Sequence, residues 1–395
     1  MAFSINIPDE VLADLRSRIR NTRWPDPIPE VTWEQGMHIS YLRDLLDHWA
    51  GEFDWRAQEA WLNSFPHDRM TIDGTAIHFV HARAVRGSGI PLILTHGWPS
   101  TFLEYLPLVP LLTDPEAHGI DGPAFDLVIP SLPGYGFSER PARVGVTYRV
   151  VADLWHRLMS GLGYARYGVG GGDFGAGVAT FMAADIPKPT TRAGDRHRPG
   201  HARPPATHVA TVSGIHLTNF EISPRVVGQV SAAESAYLAT NEAWTAVERG
   251  YSSIQSTKPQ TVGIGLNDSP AGLAAWILEK WRSWTDCGGD LDAKFGRDFL
   301  LTMLTIYWAT GSITSSLRDY YDNRWFQVTP GFVEVPTAFA VFAHEFVPEG
   351  EPPREWMERI YQVRRWTVMP RGGHFAPAEE PLLVAQDIAS FFGGL

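Results

Sequence analysis

A single cysteine, Cys287, stands in a chain of 395 residues. It leaves no partner for an internal disulfide and no thiolate cage for a metal, the usage of a chain kept in a reducing cytoplasm. The residue itself reads as a small buried apolar group. Nowhere do about 18 apolar residues follow one another, so no stretch is long enough to span a bilayer as a helix. A basic block set among aromatics is missing too. Lys and Arg number 33 against 44 Asp and Glu, a net charge of −11 that disfavours nucleic acid or anionic lipid as a partner. The segment from Met1 to Arg20 lacks the charged start and apolar run of a secretory signal. No G-x-S-x-G pentapeptide occurs, so the serine nucleophile usual at a strand-to-helix turn is excluded. Together these absences predict a soluble, cytoplasmic protein that meets small neutral molecules and leaves self-association open.

What is present is apolar material: 44% of the residues are hydrophobic, enough for a core larger than one ordinary domain requires. Residues 1–70 read as an N-terminal helical arm, rich in tryptophan (Trp24, Trp33, Trp49, Trp55, Trp61) and opening on an amphipathic helix with Ile7, Val11, Leu12 and Leu15 on one face. From Thr75 the pattern changes to short apolar runs, at 76–81, 90–95, 127–130, 167–170 and 209–213, separated by turns and longer helical stretches. That alternation means βαβ units and a mostly parallel sheet. It stops near Asn219. Helical periodicity then dominates to 336, as in Leu273, Trp276, Ile277, Lys280 and Trp281. Strand candidates return at 337–342 and 365–369, before a closing helix over 380–392. The organisation is therefore an arm (1–70), a core in two parts (71–218 and 337–395) and a helical cap (219–336). Residues 187–205 are proline-rich, basic and nearly free of large apolar groups, and read as a mobile surface loop.

The densest chemical signal is Gly170-Gly-Gly-Asp173-Phe174-Gly-Ala-Gly177, placed after a strand and before a helix. Small residues two before and two after a central side chain are what a nucleophile elbow needs, because the turn is too tight for more. The central residue here is Asp173. The same glycines (Gly170, Gly172, Gly175) fit G-x-G-x-x-G, but a dinucleotide fingerprint follows the first strand of its unit and is answered by an acidic residue about 20 positions on. This one lies deep in the sheet, and the polar loop follows it. Neither a cofactor nor a metal is called for. His96-Gly97-Trp98-Pro99 follows an early strand, where hydrolases of the α/β-hydrolase fold supply an oxyanion-hole amide, so the Trp98 and Phe174 N–H groups are the expected donors. His374 lies in Arg371-Gly-Gly-His-Phe375, directly after the last strand candidate, the position of a general base. A base of this kind needs an acid to fix its tautomer. Glu345, after the 337–342 strand, is the natural candidate and Glu349 the second.

The runs YSSIQSTKPQT from Tyr251, GLNDSP from Gly265 and WATGSITSSLRDYYDN from Trp308, with HGWP, SLPGYGFS from Ser131 and the aspartate elbow, closely resemble the microsomal-type epoxide hydrolases. The resemblance covers nearly the whole chain, the N-terminal arm included, and lacks the membrane anchor of the microsomal members. It implies an α/β-hydrolase fold, a nucleophile at Asp173, a charge-relay acid at Glu345, a base at His374 and two cap tyrosines at Tyr251 and Tyr320, Tyr321 being the adjacent alternative. The substrates it implies are water and a small hydrophobic epoxide.

These residue types suit that chemistry. Opening an epoxide releases an alkoxide whose conjugate acid lies near the pKa of water, about 15.7, so a proton or hydrogen bond must reach it. A phenol, with a pKa of about 10, can donate and yet stay protonated at neutral pH. Carboxylate attack gives an ester that water can cleave, whereas serine would give an inert ether. Two other readings stand beside it. A haloalkane or haloacid dehalogenase would use the same aspartate with indole N–H donors for the halide, and a non-catalytic member of the fold would keep the pocket without the chemistry.

Overall fold

The computed structural model describes residues 2–184, 211–225, 228–326, 328–345 and 351–395. The 187–205 loop and Glu349 lie outside the described residues. Eight strands form one sheet: β1 (His67–Ile72), β2 (Thr75–Ala82), β3 (Ile90–Thr95), β4 (Phe125–Pro130), β5 (Arg166–Gly171), β6 (Thr211–Leu217), β7 (Val333–Phe342) and β8 (Tyr361–Met369). Their order is β1-β2-β4-β3-β5-β6-β7-β8. The β1/β2 and β2/β4 pairs are antiparallel and every later pair is parallel, as the βαβ alternation demanded. This is the α/β-hydrolase architecture. The central strands β3 and β4 are apolar runs covered on both faces, which is why they lack a polar/apolar alternation.

Strand β1 is the element that the sequence pattern misses. His-Asp-Arg-Met-Thr-Ile carries little apolar signal because it is the sheet's edge strand, met on its outer side only by the Ala2–Asp68 bridge and the Phe3 N–H, where charged side chains protect the exposed ladder. Cys287 departs from expectation in another way: it is half-buried, with its thiol against the Arg282 carbonyl oxygen.

Between β6 and β7 the chain leaves the sheet for a layer of helices that includes Ala232–Glu248, Gly250–Gln255, Pro259–Asp268, Pro270–Trp284, Arg297–Thr310 and Ile313–Phe326. Leu273, Ile277 and Trp281 of Pro270–Trp284 are fully buried, and the Trp281 indole N–H donates to the Pro99 carbonyl in the loop after β3. The N-terminal helices Asp9–Arg20, Ile39–Gly51 and Trp55–Leu62 brace this layer from outside. Arg18 pairs with Asp268 at 2.6 Å, the Tyr41 hydroxyl donates to Asp292 at 2.8 Å, and the buried Trp49 indole donates to Thr305 Oγ1 at 2.9 Å. Among the described residues no helix is long and apolar enough to cross a membrane.

The Trp49 contact makes the brace measurable. In Trp49→Phe an aromatic still fills the site, and Thr305 keeps its bond to the Leu301 carbonyl, so no buried hydroxyl is orphaned. Stability should fall by about 1–2 kcal/mol, the range of one hydrogen bond plus a small packing loss. The urea midpoint reads this, and a loss beyond 4 kcal/mol would mean that the arm and cap unfold together through this residue.

Candidate active site

Strand β5 runs out at Gly171, and two residues later Asp173 takes φ +51°, ψ −127°, immediately before the helix Phe174–Ala183. A non-glycine residue at such a φ costs about 1–3 kcal/mol and persists only where its surroundings impose it. Here they do. A Cβ on Gly175 would run into the Thr95 carbonyl of β3, and one on Gly97 would run into the Asp173 side chain, so glycine at both positions lets the elbow press against the loop after β3. The carboxylate is thereby presented above the carboxyl ends of the parallel strands, with Oδ1 accepting the Trp98 backbone N–H at 2.9 Å. Phe174 supplies the first amide of the following helix, one of the N–H groups that a helix leaves without an internal partner.

The loop that carries Trp98 is itself pinned. His96 accepts the Leu132 N–H on Nε2 at 3.2 Å, and its Nδ1 lies 3.0 Å from the Gly97 carbonyl. Burial pulls this imidazole down to about 4, so it is neutral and fit for that split donor and acceptor role.

His374 follows β8 and lies between two carboxylates. Its Nδ1 is 2.5 Å from Glu345 Oε1, and its Nε2 is 3.6 Å from Asp173 Oδ2. Burial alone would depress the imidazole, but the attraction of Glu345 and then of Asp173 outweighs it and lifts the group well above 6.5. The arrangement is an imidazole held between two carboxylates, each of which favours its protonated form.

Three supports of this cluster escape sequence reasoning. Asn219 accepts the Asp173 N–H on Oδ1, and its Nδ2 lies 3.3 Å from His374 Nδ1. In the sequence it marked only the point where the strand pattern stops, although a polar residue just past a parallel strand is placed to face the site. Glu379 accepts the amides on both sides of His374, Gly373 N–H and Phe375 N–H, each at 3.1 Å, together with Asp286 N–H at 2.8 Å. The third support comes from the cap, whose Trp284 carbonyl accepts the His374 N–H at 2.8 Å.

Over Asp173 opens a cavity of about 590 Å³, and Tyr251 of Gly250–Gln255 and Tyr320 of Ile313–Phe326 both line it with Asp173, Phe174, Asn219 and His374. The two phenol rings are 6.0 Å apart and nearly perpendicular. Tyr251 stacks on the Trp98 indole at 5.6 Å, and Tyr320 meets Phe174 edge-on at 4.8 Å. Burial holds the Tyr320 phenol well above its usual value of 10.0, with the neighbouring Tyr251 and the charge of Asp173 adding to it. Tyr321 instead packs against Trp325 and Phe326, so of the adjacent pair it is Tyr320 that shares the cavity with Asp173.

The fold is that of the α/β-hydrolases, and it brings an aspartate at the elbow, a histidine after the last strand and two phenols to one cavity. The comparisons narrow the class. The family described as "Epoxide hydrolase N terminus" matches residues 1–105, and that described as "alpha/beta hydrolase fold" matches residues 90–192. The chain is 37% identical over 419 residues to "Epoxide hydrolase 1" of Oryctolagus cuniculus, covering 99% of this chain and 88% of that one. It superposes on juvenile hormone epoxide hydrolase from the silkworm Bombyx mori with a TM-score of 0.80 at 31% identity, over 100% of this chain and 93% of that one. Against the epoxide hydrolase of Aspergillus niger the TM-score is 0.81 at 28% identity, over 99% and 95%. This chain belongs to the epoxide hydrolase family.

The Glu379 clamp carries its own expectation. Glutamine there keeps the volume but turns an N–H group towards backbone amides that need acceptors, which loosens the loop on both sides of His374. Turnover of an epoxide such as styrene oxide should fall by about ten- to a hundredfold, as for a misplaced catalytic group. KM should change little, because Glu379 does not line the large cavity. A large KM increase at unchanged kcat would show that Glu379 shapes binding instead.

Proposed function

We propose that this protein hydrolyses small hydrophobic epoxides to vicinal diols through an ester on Asp173. The observation that carries the reading is the carboxylate at the elbow, with Oδ1 on the Trp98 amide and Oδ2 facing His374, beneath two phenols. An epoxide enters the cavity and its ring oxygen is held by Tyr251 and Tyr320. Asp173 attacks a ring carbon in line, the C–O bond breaks, and the alkoxide takes a proton from a phenol. The imidazolium form of His374 stabilises Asp173 as a carboxylate at this stage.

Esterification removes the charge of Asp173. One of the two attractions that lift His374 disappears with it, so the imidazolium gives up its proton more readily, to the phenolate left by the first step, and becomes the base that is next required. Neutral His374, oriented by Glu345, then takes a proton from water as that water attacks the ester carbonyl. The Trp98 and Phe174 amides hold the developing oxyanion. A dehalogenase would want N–H donors over the leaving group, whereas the cavity over Asp173 is lined by the two phenols Tyr251 and Tyr320, with the Trp98 indole beside them.

Isotope transfer tests the covalent step. With enzyme in excess in heavy-oxygen water, the first turnover should give mostly unlabelled diol and leave label in the peptide that contains Asp173. Label in the first diol and none in that peptide would overturn the scheme. His374→Gln should accumulate the ester, visible by intact mass. Chloride released from haloalkanes without diol formed from epoxides would point to the dehalogenase.

A pH prediction follows from Glu345. Hydrolysis of the ester requires neutral His374, so its rate rises as pH passes upward through the imidazole value. Glu345→Gln removes the attraction that contributes most to raising His374, so that rise should move to lower pH. The plateau should drop by up to about 10⁴, as when an orienting acid is neutralised. Single-turnover decay of the ester across pH measures both, and a rise displaced to higher pH would contradict the assignment.

A further inference from the structure

Lys280 has no part in the scheme so far, yet it packs directly on one of the two phenols. It is 7% exposed, on the same face of Pro270–Trp284 as Trp284, and its Nζ stands over the Tyr251 ring, 4.9 Å from the centroid. Trp98 lies parallel to that ring within 10°, so the phenol's plane is held relative to the ammonium. A buried ammonium needs a counter-charge, and Glu279 supplies one at 2.7 Å. Of the pair, Glu279 is the more exposed, 24% against 9% of the side chain, so water screens the carboxylate more than the ammonium.

Resting on the reading above, we propose that Lys280 is a positioning residue acting through Tyr251, and that it makes Tyr251 the phenol that surrenders its proton while Tyr320 only donates a hydrogen bond. As Asp173 attacks, one carbon–oxygen bond forms and the epoxide C–O bond breaks. The Tyr251 proton passes to the alkoxide, and the negative charge lost by Asp173 reappears on the Tyr251 oxygen. The imidazolium of His374 then returns a proton to that phenolate, which restores Tyr251 and leaves a neutral base, and the one proton released by ester hydrolysis restores the imidazolium. A cation over the ring stabilises the electron-rich phenolate more than the phenol. Tyr320 has the opposite setting, held high by burial and by Asp173. The other ionisable groups around the cavity are Asp173, His374, Glu221, Arg249, Arg324 and the phenols Tyr148 and Tyr320. None of these is placed over the Tyr251 ring as Lys280 is.

The test uses the full chain in single turnover with styrene oxide, following the Asp173 adduct by quenched mass analysis and phenolate by its near-ultraviolet absorbance. Lys280→Met should slow adduct formation about thirtyfold, the worth of a desolvated cation–π contact, and leave adduct decay unchanged. Lys280→Arg should restore most of the rate. The phenolate transient should survive in Tyr320→Phe and vanish in Tyr251→Phe, which keeps the assignment testable even if Lys280→Met does not fold. Adduct formation at the wild-type rate in Lys280→Met would overturn the inference, as would a transient that survives in Tyr251→Phe but not in Tyr320→Phe. Absence of any Asp173 adduct in the wild type would sink the function reading itself.

Discussion

The site depends on one close approach: the helix after β5 presses against the end of β3 at Gly175 and Thr95, where no side chain fits between them. That contact forces Asp173 into its positive-φ turn and brings its carboxylate under the Trp98 amide. The strain is local, about 1–3 kcal/mol, and small beside the apolar burial of the strands that hold it. Without the turn the same carboxylate would lie along the helix and face neither the amide nor His374. The geometry of attack is thus set by backbone packing, and the chemistry by the one side chain raised on it.

Charge is the second organising constraint. His374 is buried, which favours a neutral imidazole, and it is flanked by two carboxylates, which favour the cation; the carboxylates win. Because one of them is the nucleophile of the proposed scheme, the balance is not fixed through that cycle. Turning Asp173 into an ester subtracts a charge next to the imidazole. A single residue can then serve as counter-ion in the first half and base in the second, with no conformational change invoked. Glu345, 2.5 Å from Nδ1, holds the imidazole in one orientation.

Much of this was legible in the sequence, for a physical reason. The elbow, the loop after β3 and the histidine after β8 are local patterns in which glycines, a strand end and a reactive side chain lie within a few residues. Parallel topology then guarantees that such strand ends converge. The cap tyrosines were legible only through resemblance, since a tyrosine on a helix otherwise reads as packing. Asn219, Glu379 and Lys280 left almost no signal, because each acts on residues that are distant in the chain or through backbone amides that sequence does not mark. Strand β1 was missed because an edge strand needs little apolar character.

The cap does more than roof the cavity. The His374 amide is bound to the Trp284 carbonyl, the Gly372 amide to Asp286, and the Trp98 ring is stacked on Tyr251, so base, oxyanion loop and phenol each have one partner in the core and one in the cap. A cap that shifted as a body would move all three together. The arm resists that shift unequally: the Arg18–Asp268 pair is solvent-exposed and worth little, whereas the Trp49–Thr305 contact is buried and retains its strength. The buried contacts of the arm, and not its exposed ion pair, therefore do most to hold the helical layer that carries Tyr251 and Tyr320.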